Sequence, residues 1–106
     1  MAIEGNVRLQ LIQGDSFERE IYIEGAELNI IEGIYFSCEK LKICKKLYLN
    51  GEYFVLNFTP EETINFPKSE VDYDLTVKFI DNKIETVSYR SQLTILPKIN
   101  KVSCFG

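Results

Sequence analysis

The sequence contains no histidine and no tryptophan, one methionine, three prolines and three cysteines in 106 residues. Without histidine the commonest general base is missing, and neither a Ser-His nor a Cys-His nucleophile pair can be assembled. Nor can a four-ligand Cys/His zinc site be completed from three cysteines. Cys38, Cys44 and Cys104 lack C-x-x-C spacing and are odd in number; Cys38 reads as a reduced thiol serving as a small core residue, and Cys104 sits in a polar tail where oxidation is expected rather than function. A Cys38–Cys44 link stays open only if their strands are adjacent. The phosphate loops G-x-x-x-x-G-K-[ST] and G-x-G-x-x-G and the nucleophile turn G-x-S-x-G are missing too. An enzyme is not expected, and no catalytic residue, metal or cofactor is assigned.

No apolar run approaches the roughly 18 to 20 residues that span a bilayer. The start MAIEGNVRLQLIQG has no basic region followed by an apolar core. The expectation is a soluble chain made in a cytoplasm. Net charge is −4, which opposes binding to nucleic acid or to anionic membrane surfaces.

What the chain does have is sheet. Hydrophobic residues at 45% and charged residues at 26% argue for a folded domain rather than disorder. Most of the seven Phe and six Tyr fall in segments that alternate. The clearest is Val71 to Leu96, where Val71, Tyr73, Leu75, Val77 and Phe79 oppose Asp72, Asp74, Thr76 and Lys78. Asp81-Asn82-Lys83 turns the chain, and a second limb returns through Ile84, Val87, Tyr89, Leu93 and Ile95 until Pro97. Paired acids such as Asp72 and Asp74 on an outward strand face read as solvation.

Earlier strands follow the same period. Asn6 to Ile12 alternates Val7, Leu9 and Leu11 before a turn at Gly14-Asp15. Ser16 to Ile23 places Phe17, Ile21 and Ile23 on one side and Glu18, Glu20 and Tyr22 on the other, with Arg19 breaking the apolar face as at a sheet edge. Leu28, Ile30 and Ile31 read as a loop tucked under the sheets, and Ile34, Phe36 and Cys38 as a third strand. A fourth is expected to start in Lys40–Lys46 and run through Leu49. Asn50-Gly51 then predicts a type I′ hairpin pairing Cys44–Leu49 with Glu52–Phe58, Phe54, Leu56 and Phe58 facing inward. Thr59-Pro60-Glu61-Glu62 reads as a capping box opening a short helix that carries Ile64 and Phe66 onto the sheet.

These elements predict one all-β domain over residues 1–106, with a core over about 7–96 and a tail over 97–106. The expected architecture is an immunoglobulin-like antiparallel β-sandwich of about seven strands with one short helix. The candidate partner-binding residues are the lysines Lys40, Lys42, Lys45 and Lys46 with Tyr35, and the acids Glu18 and Glu20 with Glu24 and Glu27. The lysines would serve a phosphate backbone, with Tyr35 or Tyr48 as stacking surface, or blunt a sheet edge. Two oppositely charged regions would also orient head-to-tail or hetero-contacts.

Several segments together resemble the immunoglobulin-like N-terminal domain of phage baseplate upper proteins. They are Gln13-Gly14-Asp15, Ile34-Tyr35-Phe36-Ser37, Gly51 through Thr63, Asp72 to Val77 and Thr86 to Ile95. The resemblance spans about residues 7–96. It departs from the family near Ser91, where a glycine is usual, and no long fibre-forming region follows. It implies a non-catalytic virion protein that docks onto capsid, neck or baseplate subunits as a decoration or attachment module. Such a protein is made in the bacterial cytoplasm, has protein partners and allows a homo-oligomer. Two other readings stand beside it: a phage-encoded inhibitor whose Glu-rich surface meets a host defence protein, and a carbohydrate-binding module using Tyr22, Tyr35 or Tyr53.

Overall fold

The computed structural model describes residues 2–3, 8–24 and 27–99. Val7, the side chains of Ala2, Ile3, Glu24, Tyr89 and Arg90, Cys104 and the tail from 100 onward lie outside the described residues. In chain order the elements are β1 (Ala2–Ile3), β2 (Leu9–Ile12), β3 (Phe17–Ile21), β4 (Ile23–Glu24), a 3-10 turn (Leu28–Ile30), β5 (Ile31–Cys38), β6 (Ile43–Lys46), β7 (Tyr48–Asn50), β8 (Tyr53–Phe58), α1 (Pro60–Thr63), β9 (Ser69–Phe79) and β10 (Ile84–Leu96). Five strands form one sheet in the order β2-β10-β9-β5-β6, three form a second in the order β3-β8-β7, and β1 pairs with β4. The all-β, sandwich-like architecture with one short α-helix is as expected. One pairing is not antiparallel: β2 runs parallel to β10, Leu9 opposite Leu93 through Ile12 opposite Leu96.

Alternation explains the core. Val71, Tyr73, Leu75 and Val77 of β9, Ile34, Phe36 and Cys38 of β5, Leu9 and Leu11 of β2, and Leu93 and Ile95 of β10 are all buried. They meet Ile21 of β3 and Phe54, Leu56 and Phe58 of β8 from the other sheet. Phe58 sits at the aromatic centre, edge-on to Phe36 at 5.4 Å and to Phe66 at 5.3 Å, while Phe36 stacks on Tyr73 at 5.0 Å. Such pairs add to plain area burial because ring edges and faces carry opposite partial charge.

In four places the structure departs from simple alternation. The expected fourth strand is broken in two. Glu39 to Lys42 form a turn, β6 stays in the five-stranded sheet, and buried Leu47 carries the chain across so that β7 joins the other sheet. The hairpin at Asn50-Gly51 is consequently shorter and shifted by one residue: Asn50 pairs with Tyr53, and Gly51 (φ 66) leads the two-residue loop while Glu52 keeps negative φ. A left-handed first residue followed by an ordinary one is the type II′ pattern rather than I′. In β10 the pairing with β9 slips between Thr86 and Ser88 and again between Ser88 and Ser91. The first slip turns Ser88 inward opposite Leu75, and the second restores the phase in which Ser91 shares the buried face of Leu93 and Ile95, while Ile84, in phase with Thr86, is 68% exposed. Ile64 is 56% exposed and covers Gly14 rather than the sheet, and Ile30 is exposed as well.

Helix α1 is held as its sequence predicts. Glu62 N–H donates to Thr59 Oγ1 at 3.3 Å, and Thr59 N–H donates to Glu62 Oε1 at 3.0 Å. The Gln13-Gly14-Asp15 corner then clamps this helix to the end of β2. Gly14 N–H donates to Thr63 Oγ1 at 3.0 Å, Thr63 Oγ1 donates to the Asp15 carbonyl at 2.8 Å, and Gln13 Nε2 donates to the Phe66 carbonyl at 2.6 Å. Lys98 closes the corner on the Asp15 carboxylate at 2.9 Å. Gly14 has φ +83, a left-handed conformation that glycine adopts without a Cβ clash.

Candidate functional site

The four lysines do not form one basic patch. Lys40 and Lys42 lie in the turn before β6, where Lys40 borders Glu39, Glu70 and Asp72. Successive residues of a strand point to opposite faces, and this separates Lys45 from Lys46. Lys45 turns inward, with its ammonium 4.9 Å from the Phe58 ring centroid and 2.7 Å from Glu62 Oε1. Burial would raise the Glu62 pKa, but the Lys45 ammonium and the Thr59 N–H outweigh it and hold the carboxyl below its usual value. Lys46 turns outward over the Tyr35 ring, 5.9 Å from its centroid, and pairs with Glu32 at 3.6 Å. Tyr35 completes this group by donating its hydroxyl to Glu32 at 3.1 Å. Lys45, Lys46 and Tyr35 are thus engaged within the chain, and Lys45 and Lys46 do not share a face.

The other two candidates, Glu18 and Glu20, are brought together with residues that the charge pattern alone did not connect. They sit on the outer face of β3, where register sets Glu18 opposite Asn57 and Glu20 opposite Val55. On the far side of β8, Tyr48 of β7 is also opposite Val55. Tyr48 reaches over β8 and donates its hydroxyl to Glu18 Oε1 at 3.2 Å, so Val55 beneath it is only 1% exposed although it faces outward. Tyr22 donates to Glu20 Oε2 at 3.0 Å, and its ring lies 5.3 Å from that of Tyr53. Asn50 Nδ2 donates to the Tyr53 hydroxyl at 3.1 Å, fixing the third ring.

The result is a solvent-facing surface of three tyrosines around two carboxylates. Tyr22 is 46% and Tyr48 47% exposed. Both phenols have pKa values raised above the ordinary one, Tyr22 chiefly through its hydrogen bond to Glu20 and Tyr48 chiefly through desolvation, reinforced by the Glu18 charge. A neutral phenol donates to a carboxylate, and the carboxylate in turn disfavours the phenolate. Tyr22 and Tyr53 are candidates of the carbohydrate reading and Tyr48 a stacking candidate beside the lysines; the β7-β8-β3 register brings the three together over Val55.

Cys38 is buried and Cys44 exposed, and both are free. Their strands are adjacent, but Ser37 pairs with Cys44 and Cys38 with Ile43, which places the two thiols on opposite faces. Among the described residues no group of His, Cys, Asp or Glu is arranged to hold a metal ion. No helix among them is long and apolar enough to cross a membrane. Neither protein-family models nor curated proteins compared with the chain give a match.

Proposed function

We propose that the chain is a non-catalytic docking module of a phage particle, attaching to capsid, neck or baseplate subunits through the outer face of its three-stranded sheet. The observation that carries this reading is the surface of Tyr22, Tyr48 and Tyr53 around Glu18 and Glu20. Tyrosine is enriched at protein interfaces because it buries a large, rigid ring at low entropic cost while its hydroxyl finds a polar partner. Here the rings are already oriented by hydrogen bonds within the chain, which lowers the ordering cost of binding. The particle itself is suggested by the resemblance of Gln13-Gly14-Asp15, Ile34 to Ser37 and the β8 to β10 segments to baseplate upper protein domains.

Quantitative mass spectrometry of purified particles of the source phage tests the reading. The chain is expected in them at a fixed copy number, and its absence would refute the proposal. Pull-down from host lysate that returned a nuclease or its guide complex would favour the inhibitor reading instead. The Tyr22–Tyr53 ring pair also gives the carbohydrate reading a specific footing, and glycan-array binding lost in Tyr22→Ala would favour it.

A further inference from the structure

The Tyr35 group shows what this chain does with a tyrosine hydrogen-bonded to a glutamate. Tyr35 donates to Glu32, and Lys46 then sits over the ring and beside the same carboxylate. The outer face of the three-stranded sheet repeats the first half of that arrangement twice, as Tyr22 with Glu20 and Tyr48 with Glu18. The second half is missing: among the described residues no lysine or arginine pairs with Glu18 or Glu20, and no cation lies over Tyr22, Tyr48 or Tyr53. In each pair one carboxylate oxygen accepts the hydrogen bond from the phenol, while the other has no hydrogen bond among the described residues.

We propose that this face takes a basic segment of a protein partner, whose lysine or arginine side chains settle over the tyrosine rings and beside Glu18 and Glu20, as Lys46 does over Tyr35. The inference rests on the docking reading above and names the chemistry of what docks. Ring quadrupole and carboxylate attract the same cation, and a net charge of −4 steers basic partners toward the chain. A second copy fits less well, because it carries the same net charge of −4, and its Lys45, Lys46, Lys83 and Lys98 are already paired with carboxylates while Lys40 is bordered by Glu39, Glu70 and Asp72.

The test is titration of the isotope-labelled full chain, followed by amide chemical shifts, with a short blocked peptide alternating threonine with arginine. The lysine and citrulline versions of the peptide are run alongside. The arginine and lysine peptides are expected to shift amides over Glu18–Tyr22, Tyr48–Tyr53 and Val55, with binding that weakens as salt is added. Each exposed ring contact contributes roughly two- to fivefold in affinity, so the citrulline peptide, and the arginine peptide against Glu18→Gln/Glu20→Gln, should each bind about tenfold more weakly or worse. Tyr22→Phe keeps the ring and should lose less than Tyr22→Ala.

Equal binding of the citrulline peptide, shifts confined to other strands, or binding of a neutral oligosaccharide at these residues without the arginine peptide would overturn the proposal. So would self-association of the wild type that Glu18→Gln/Glu20→Gln abolishes, since a second copy would then occupy the face. Failure of the peptides with the chain still present in particles refutes the occupant alone. Peptide binding with the chain absent from particles refutes the particle reading alone.

Discussion

Replacing Thr63 by valine should destabilise the chain by about 2 kcal/mol, through hydrogen bonding rather than packing. Thr63 is fully buried, and valine has nearly its shape, so no cavity opens. Its hydroxyl accepts from Gly14 N–H at 3.0 Å and donates to the Asp15 carbonyl at 2.8 Å. Valine leaves both backbone groups without that partner. An unmet buried polar group costs roughly 1 to 3 kcal/mol, and two would approach the sum were they fully enclosed. Gly14 and Asp15 are half-exposed, so water recovers part of the loss and about 2 kcal/mol remains. For a chain of this length that lowers the melting temperature by roughly 8 to 16 °C. Thr63→Ser keeps the hydroxyl and loses one methyl, costing about 1 kcal/mol. Urea unfolding of both variants decides the matter. Thr63→Val as stable as the wild type, or more stable than Thr63→Ser, would show that the corner is not held by this hydroxyl.

Gly51 leads its turn at φ 66, and a Cβ added there would meet nothing within 4 Å, so Gly51→Ala should cost about 1 kcal/mol by backbone strain alone, read as a shifted urea midpoint. Tyr73 is pushed up to about 12 by burial, against the opposing Ser91 hydrogen bond and Arg19 charge. A phenol whose folded pKa lies above its unfolded value of 10.0 gives stability that is complete below pH 10 and lost as pH rises toward about 12. Tyr73→Phe should therefore flatten the alkaline fall in melting temperature over that window. Iodoacetamide should label Cys44 in the native chain and Cys38 only after denaturation, which peptide mass spectrometry reads directly.

Features set by neighbours in sequence were legible, and features set by neighbours in space were not. The period of two in Val71–Phe79 and in Ile34–Cys38 marks one buried face each, and those faces are buried. The capping box at Thr59–Glu62 needs only four consecutive residues, and it forms. The break at Leu47 is different in kind. The residues on either side suit a strand, and only the existence of two sheets makes the chain cross between them. The parallel β2-β10 pairing likewise depends on where the far end of the chain arrives, and the two slips in β10 turn Ser88 inward and then restore the earlier phase without any glycine or proline to announce them. For the same reason the lysines looked like one cluster in sequence, while strand pleat and turn send them to three places. The tyrosine and glutamate surface was half visible: Glu18, Glu20 and Tyr22 share a period, but Tyr48 and Tyr53 reach them only through cross-strand register.

The docking account is tested most directly by measuring how much of the chain purified phage particles retain when the charge of the tyrosine face is reversed. Glu18→Lys/Glu20→Lys changes two exposed side chains outside the core and should leave the urea midpoint close to that of the wild type. The wild type should be retained at a fixed copy number, and the folded variant should fall by at least about tenfold because each lysine now repels the basic segment that its glutamate attracted. Equal retention of the two proteins, or a particle without the wild-type chain, would contradict the account.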